Sequence, residues 1–245
     1  IDLFVDVKHI PDLIGVSYAA GQGLSIGAAT PLYDIYNHSD VKAHCAALVE
    51  ASHVIGGTAI QGRASLGGNL ANSSPAADGI PAMIALGGVA HLAGPNGKRD
   101  VSIAEFCTAP GRNVLETGEF IVSLSFPDPA VNSGSAWERF IPRNEMDIAV
   151  ANAGVYVALD GDTVTDARVS IGAVAPTPLN VTAAADALIG KPLTDDTIEA
   201  AAAAARDAAR PISDMRGSEQ QRKHLTGVLV TRMIRKAVAR ARGEE

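Results

Sequence analysis

Cysteine is scarce in this 245-residue sequence, which contains only Cys45 and Cys107, and neither belongs to a Cys-x-x-Cys or Cys/His pattern. Two isolated cysteines cannot bind an iron–sulfur cluster alone, and they lack the spacing of a structural zinc site. The six histidines are equally scattered, without a metal-binding spacing. We therefore expect no metal site in this chain and two reduced thiols, as is usual in cytoplasmic proteins.

An excess of basic charge and long apolar runs are also missing. The formal net charge of −7 at pH 7 argues against a broad nucleic-acid surface, because phosphate binding needs clustered Lys and Arg. No run of about 18 apolar residues is present, so we expect no membrane-spanning helix. No basic and then apolar leader is recognisable either, and we expect a cytoplasmic protein.

Patterns that supply catalytic side chains are not recognisable. We find neither a serine nucleophile elbow nor a Cys/His nucleophile pair. Gly21, Gly23 and Gly27 superficially resemble a dinucleotide-binding fingerprint, but the residues that follow favour a hairpin over a helix. We therefore predict no catalytic side chain, and the chemistry has to come from a bound cofactor.

Apolar residues are plentiful: they make up 47% of the sequence against 19% charged residues, so the chain can bury a substantial core. Alternating or continuous apolar segments predict strands, and Gly-rich, Asn-Gly and Asp-Gly turns between them predict hairpins. The predicted strand and hairpin segments are IDLFVDV, YAAGQGLSIGAAT, VAHLAGPNGKRDVSI, EFIVSLSFP, SAWERFI, IAVANAGVYVAL and TVTDARVSIGAVA.

Helix signals lie between and after these strands. One helix is predicted to start at Thr30-Pro31, with Thr30 as N-cap and Pro31 at the first helical position. Ser39 is expected to cap the next helix, DVKAHCAALVEAS. Further helices are predicted in GIPAMIAL, in DDTIEAAAAAARDAA and in the C-terminal SEQQRKHLTGVLVTRMIRKAVARAR, which carries an apolar stripe.

A change of composition at residues 128–134, DPAVNSG, is typical of a linker. We therefore predict an α+β fold with two domains. Residues 1–130 form the first α+β domain, and residues 131–245 form a smaller antiparallel sheet with packed helices.

The polar run RASLGGNLANSSPAAD, residues 63–78, is the strongest candidate site. Gly67 and Gly68 permit unusual backbone conformations and close approach of another molecule, and successive amides can form a nest for phosphate oxygens. Asp78 suits the hydroxyls of a ribose or ribityl chain. One interpretation is thus a loop that binds a phosphorylated ligand. The other is a surface loop with Asp78 as the N-cap of the following helix.

The same run closely resembles the second flavin-binding motif of the FAD-binding medium subunits of the xanthine dehydrogenase and carbon monoxide dehydrogenase family. That motif is Thr/Ser-x-Gly-Gly-Asn, then Ser-Pro and Asp. Here it reads Ser65-Leu66-Gly67-Gly68-Asn69, Ser74-Pro75 and Asp78. The segments VDVKHIPDL, GAATPLYDI, MDIAVANAGVYVAL and VSIGAVAPTPL are similar to the family as well, in the family's order, so the resemblance covers the whole chain.

The resemblance implies that residues 1–130 are an FAD-binding domain. By its motif, the segment 65–69 holds the FAD diphosphate and Asp78 contacts the sugar portion. The residues carried over for the diphosphate are Ser65, Leu66, Gly67, Gly68 and Asn69.

Four more positions follow from the resemblance. Ile55 and Ile121 match apolar positions that pack on the cofactor. Asp147 matches a loop that approaches the isoalloxazine edge, with a turn residue before a strand as an equal alternative. Glu138 falls where some relatives have a lysine, so no role is carried over to it.

The family's first flavin motif, a Gly-Gly loop, normally precedes the VDVKHIP segment and is not found in these 245 residues. We expect it upstream of Ile1. The alternative is a copy that cannot hold FAD completely.

The resemblance further implies an electron-transfer subunit. A large molybdopterin-binding subunit would oxidise the substrate, and a small subunit with two [2Fe–2S] clusters would pass electrons to FAD in this chain. An external acceptor such as NAD, a quinone or oxygen would then be reduced, and the complex is expected to be a dimer of heterotrimers. The alternative function is a non-catalytic assembly subunit that lacks flavin.

Overall fold

The computed structural model describes residues 4–245, and its N-terminal half is built around an antiparallel sheet of five strands. The strands of this half are β1 (Val16–Ala19), β2 (Gly23–Gly27), β3 (Val89–Gly94), β4 (Gly97–Ser102), β5 (Cys107–Ala109), β6 (Arg112–Asn113) and β7 (Phe120–Phe126). The order across the sheet is β1-β2-β7-β3-β4, while β5 and β6 form a separate pair.

Glycine turns produce the predicted hairpins of this sheet. Gly21 has a φ of +78° between β1 and β2, and Gly97 has a φ of +110° between β3 and β4, values that a side chain with a Cβ rarely adopts. Ser25 pairs with Ser17 on one side and with Ser125 on the other. Ser25, in the run Gly23-Leu24-Ser25-Ile26-Gly27, therefore lies within strand β2 and not on the strand-to-helix turn of a nucleophile elbow.

The predicted strand IDLFVDV is wrong over residues 4–7, which carry no strand, and residues 1–3 lie outside the described residues. Within residues 4–245, no other strand pairs with this segment, and Phe4 is 81% exposed. A segment with an apolar strand pattern does not form a strand when no neighbouring strand is present to share backbone hydrogen bonds with it.

Seven α-helices cover this sheet or connect its strands. They are α1 (Leu32–Asn37), α2 (Ser39–His44), α3 (Ala46–Val54), α4 (Thr58–Gln61), α5 (Leu66–Asn72), α6 (Gly79–Ala85) and α7 (Ile103–Phe106). The helices predicted at Thr30-Pro31 and in GIPAMIAL are present. Thr30 as the N-cap is wrong, because Pro31 is the N-cap of α1 and the Thr30 hydroxyl instead pairs with the backbone of Gly15. Ser39 as a cap is wrong, because His38 is the N-cap of α2 and accepts from the Asp40 amide.

The helix predicted over DVKAHCAALVEAS is two helices, interrupted at Cys45, whose φ is −137°. The break lets the amide of Ala47 donate to Ser135 Oγ in the second half of the chain, at 3.2 Å. A tertiary hydrogen bond thus accompanies an interruption that the local sequence does not signal.

The second half contains a four-stranded antiparallel sheet with helices against it. Its elements are β8 (Ser133–Phe140), β9 (Ala151–Asp160), β10 (Thr163–Gly172), β11 (Leu179–Asn180), α8 (Thr182–Asp186), α9 (Asp195–Ala208) and α10 (Glu219–Ala241). The strand order is β11-β10-β9-β8. The predicted strands, the hairpin at Gly161 and both C-terminal helices are confirmed, as is the α+β fold class.

Strand β9 is buried on both faces over residues 151–159, since α10 packs on one side and α6 of the first half on the other. A Cβ on Gly154 would lie 2.6 Å from the carbonyl oxygen of Pro81, so this glycine permits close contact between the halves. Trp137, Tyr156 and Ala158 of the second half belong to the core of the first. The division between residues 130 and 131 stays a prediction.

Candidate functional site

A groove of about 530 Å³ lies between the N-terminal turn of α5 and the segment 115–121. Its size falls within the range of small-molecule sites in proteins. The structure brings six of the predicted site residues to this groove: Ile55, Ser65, Gly67, Gly68, Asn69 and Ile121.

The run Ser65–Asn72 is not a loop, because Leu66–Asn72 forms helix α5 with Ser65 as its N-cap. The Ser65 side chain accepts a hydrogen bond from the Gly68 amide at 3.2 Å. The loop expectation holds only for the following residues, 73–78. Helix α5 thus presents its first turn, where amide groups lack partners within the helix, to the groove.

Gly67 and Gly68 serve different purposes. Neither has a positive φ, so the expectation that they adopt an unusual backbone conformation is wrong. A Cβ on Gly67 would lie 2.4 Å from the Ala28 carbonyl oxygen, and glycine is required there for packing. A Cβ on Gly68 would meet only Ser65 Oγ, at 3.3 Å, so the backbone at Gly68 stays open to the groove.

Leu66 and Asn69 hold this turn in place. Leu66 is 1% exposed, and its side chain belongs to the core and does not line the groove. Asn69 Oδ1 accepts from the amide of Gly79 at 3.2 Å, which ties α5 to the first turn of α6.

Two cationic residues that the sequence analysis did not single out line the groove. Lys8 Nζ donates to the carbonyl oxygen of Ala29 at 2.6 Å, and burial lowers the pKa of Lys8 from its ordinary value. Arg63 Nη2 lies 3.3 Å from Asp6 Oδ2. Lys8 lies in the family-like segment VDVKHIPDL, and Arg63 is the first residue of the polar run 63–78. Their positions in these segments could have indicated a role at the site.

Glu119 lines the groove and is held by Arg99. Arg99 donates to both carboxylate oxygens of Glu119, at 2.8 and 2.7 Å, and its Nη2 also donates to the carbonyl oxygen of Val114. The Glu116 amide donates to Glu119 as well. Arg99, with this amide, lowers the pKa of Glu119 to about 2. The bonds fix the segment that carries Ile121 at the groove.

Asp78 does not line the groove. It is 8% exposed, its Oδ2 accepts from Arg139 Nη1 at 2.5 Å, and its Oδ1 has no partner within residues 4–245. Burial raises the pKa of Asp78 to about 6, against the opposing effect of Arg139. Asp78 occupies the N-cap position of α6, but its side chain makes no capping hydrogen bond.

Asp147 also lies outside the groove, in the loop before β9. Its Oδ1 accepts from the Ile148 amide at 2.8 Å, and its carbonyl oxygen accepts from Arg139 Nη1 at 3.2 Å. Arg139 therefore joins Asp78 and Asp147. Glu138, which the sequence analysis singled out, instead faces Arg232 of α10 at 3.7 Å.

The part of the chain from residue 4 onward contains no group of three or more His, Cys, Asp or Glu side chains that could hold a metal ion. Cys45 and Cys107 are free, and burial raises the pKa of Cys45 to about 12, so this thiol is not a reactive thiolate at neutral pH. None of the helices in residues 4–245 has the length and apolar character that crossing a bilayer requires.

Comparison with known proteins gives a consistent result. Residues 1–129 match the model of the FAD binding domain in molybdopterin dehydrogenase, and residues 139–237 match that of the CO dehydrogenase flavoprotein C-terminal domain. The xanthine dehydrogenase FAD-binding subunit of Escherichia coli O157:H7 is 31% identical over 98% of this chain and 82% of its own length. The carbon monoxide dehydrogenase medium chain of Hydrogenophaga pseudoflava is 32% identical over 96% of this chain and 82% of its own length.

A solved structure agrees with these relatives. Carbon monoxide dehydrogenase from Hydrogenophaga pseudoflava, in a form that lacks the Mo-pyranopterin moiety, superposes with a TM-score of 0.90 and 33% identity, covering 94% of this chain and 80% of that chain.

The fold, the groove and these matches define an FAD-binding oxidoreductase subunit. The chain belongs to the family of FAD-binding medium subunits of xanthine and carbon monoxide dehydrogenases. The predicted family and the FAD cofactor are thereby confirmed. The roles of individual site residues stay predictions.

Proposed function

We propose that this chain is the electron relay of a molybdenum hydroxylase-type dehydrogenase. It accepts electrons from the [2Fe–2S] clusters of a small subunit and delivers them to an external acceptor such as NAD, a quinone or oxygen. A large molybdopterin-binding subunit completes the heterotrimer, two heterotrimers form the complex, and the location is the cytoplasm. The family match and the medium-chain relatives support this proposal.

Bound FAD supplies the redox chemistry, and the chain's residues bind and orient it. The groove fits the diphosphate because the backbone at Gly68 is open and the first amides of α5 are neutral donors. Lys8 and Arg63 add positive charge to the same groove. This cradle of neutral amides flanked by two cations is the observation that carries the proposal.

Two apolar residues of the groove and two carboxylates outside it suit the organic parts of the cofactor. Ile55 and Ile121 contribute apolar side chains to the lining of the groove. Asp78 lies outside the groove, and its Oδ1 is a buried acceptor without a partner in residues 4–245, so the proposed sugar contact requires the cofactor to extend beyond the groove to this atom. Asp147 is held in place by Arg139 and the Ile148 amide, which suits a role at the edge of the ring system.

The binding site is tested with Gly68→Ala in the product of the full gene, expressed with its partner subunits. The added methyl group narrows the groove without entering the core, so we expect about a tenfold loss of FAD affinity with the fold retained. FAD content is read from visible absorbance, and affinity from titration of the flavin-depleted protein.

Gly62→Ala is the matched control, because a Cβ at the exposed Gly62 meets nothing within 4 Å and this residue does not line the groove. FAD affinity should be unchanged in this variant. Equal affinity in the Gly68 and Gly62 variants would show that the diphosphate does not lie on α5.

The partners are tested by purification from the native source. A large molybdopterin protein and a small iron–sulfur protein should co-purify with the chain, and the complex should contain flavin. A complex with both partners but without flavin would instead support the assembly-subunit function.

A further inference from the structure

Arg139 occupies a buried position between the two halves of the chain. It lies on β8, its side chain is 7% exposed, and its Nη1 reaches Asp78 Oδ2 at 2.5 Å and the carbonyl oxygen of Asp147 at 3.2 Å. Asp78 closes the flavin motif in the first half, and Asp147 belongs to the loop before β9 in the second. One guanidinium therefore holds two candidate site residues that are far apart in sequence.

Strand alternation explains why position 139 and not 138 faces this junction. Successive side chains of a strand point to opposite faces. Ser135 accepts from Ala47 of α3, Trp137 belongs to the first core, and Arg139 reaches Asp78, so these three share the face toward the first half. Glu138 points the other way, toward Arg232 of α10.

The charge of Asp78 depends on this contact. Arg139 from β8 is the charged group that lies against Asp78, whereas Asn152 of β9 and Asn69 of α5, which approach the same turn, are neutral amides. Burial disfavours the carboxylate and raises the pKa of Asp78; Arg139 is the main group that opposes this effect, and the Asn152 amide contributes to the opposition. Without the guanidinium, more of the carboxyl is protonated at neutral pH and Oδ1 becomes a weaker acceptor.

We propose that Arg139 is a positioning residue for FAD, which fixes the Asp78 carboxylate relative to the Asp147 loop through its contacts with both. The flavin site is therefore completed only when the two halves are docked. This inference rests on the proposed contact between Asp78 and the cofactor sugar.

The test is the pH dependence of FAD affinity in the full-length protein, measured by titration between about pH 5 and about pH 9. Wild-type affinity should fall as the pH drops through about 6, where Asp78 takes up a proton. In Arg139→Gln the fall should occur at higher pH, giving about a tenfold weaker affinity at neutral pH. Arg139→Lys keeps the charge and should return the midpoint toward the wild-type value.

Arg232→Gln is the matched control, since it also removes one positive charge near β8 but from an exposed pair with Glu138. Its FAD titration should follow the wild type at every pH. An unchanged midpoint in Arg139→Gln overturns the inference. So does an affinity loss that is equal at all pH values and is not restored by lysine, because a purely structural role would produce that result.

Asp78→Asn separates this inference from the proposed function, and it replaces Arg139→Gln if that variant does not fold. It should weaken FAD binding and abolish the pH dependence near 6. If Gly68→Ala weakens binding while Asp78→Asn does not, the diphosphate site stands and the role of Arg139 is refuted. If neither variant affects binding, the proposed FAD site fails as well.

Discussion

Gly67 and Gly68 are adjacent in sequence, yet the structure requires glycine at each for a different reason. At Gly67 the space for a side chain is already filled by the backbone of Ala28. At Gly68 the space is open and belongs to the groove. Stability and cofactor affinity should therefore respond to different members of the pair.

Gly67→Ala is expected to lower the free energy of unfolding by about 1–3 kcal/mol, because overpacking against Ala28 forces the backbone to move. Gly68→Ala should change it by less than about 1 kcal/mol, since alanine favours the helix and only Ser65 Oγ is nearby. Urea unfolding of the flavin-free protein measures both. A larger loss for Gly68→Ala than for Gly67→Ala would contradict this assignment.

The ion pair of Glu119 with Arg99 makes the free energy of unfolding depend on pH in the acidic range. Its pKa is lowered from 4.5 to about 2, so its contribution is complete above about 4.5 and is lost as the pH falls toward 2. Glu119→Gln should therefore be less stable than wild type at neutral pH, and the difference should shrink as the pH falls through this window.

Urea unfolding of the Glu119 variant at neutral pH and near pH 3 checks the direction of this change. Glu116→Gln, which alters an exposed carboxyl three residues away, is the control and should show no such convergence. A difference from wild type that stays constant with pH would mean that the Arg99 contact does not set the protonation of Glu119.

Helix α5 could not be predicted from its own residues. Gly67, Gly68 and Asn69 all have low helix propensity, and serine and proline follow, so the run is typical of a loop. The helix forms because Leu66 and Leu70 are buried in the core and Ser65 caps the first turn. Tertiary packing outweighs local preference here.

Ser65→Ala should lower the free energy of unfolding by about 1 kcal/mol, because the Gly68 amide loses its capping acceptor. Ser65→Thr keeps the hydroxyl and should stay close to wild type. Thermal unfolding of the flavin-free protein distinguishes the two. Equal losses in both variants would contradict the capping assignment, because threonine keeps the hydroxyl that alanine lacks.

At the scale of the whole molecule, Glu50 links the two halves. This residue of α3 accepts from the Trp137 amide of β8 at 2.7 Å, and from Arg240 and Lys236 of α10 at 2.7 and 2.8 Å. Further connections are the pair Asp78–Arg139, the hydrogen bond from Ala47 to Ser135, and Arg168, whose Nε donates to the carbonyl oxygen of Ala85. The halves are therefore expected to unfold together.

Glu50→Ala should lower the free energy of unfolding by about 2 kcal/mol, because it leaves the Trp137 amide without its acceptor and leaves Arg240 and Lys236 with only the more distant Glu245 as a carboxylate partner. Trp137 is the single tryptophan of the sequence and lies at this junction, so its fluorescence reports the transition. Glu199→Ala removes an exposed ion pair with Arg206 and should change stability by less than about 0.5 kcal/mol. Similar losses in the two variants would show that Glu50 is no more than a surface charge.

Much of the fold was predictable from short stretches. The hairpins at Gly21, Gly97 and Gly161 follow from turn chemistry, and the C-terminal helices follow from apolar periodicity and capping residues. The break at Cys45 and the position of the segment 4–7 were not predictable in this way. They depend on whether a partner element is present, which no local pattern contains.

The candidate site was also predictable only in part. Six predicted residues meet in one groove, since the motif and its apolar neighbours are carried by adjoining elements. The side chain of Leu66 is buried in the core. Asp78 and Asp147 lie outside the groove and contact Arg139. Arg139 itself was missed, although the alternation of β8 places it on the same face as Ser135 and Trp137.

The sequence by itself determined the family, the strands and turns, and the motif that marks the flavin groove, because these depend on residue types within a few positions of one another. Only the tertiary structure decided that Gly67 is needed for packing and that Arg139 joins Asp78 to Asp147. Those properties arise from contacts between residues distant in sequence, and such contacts exist only after the two halves have packed together.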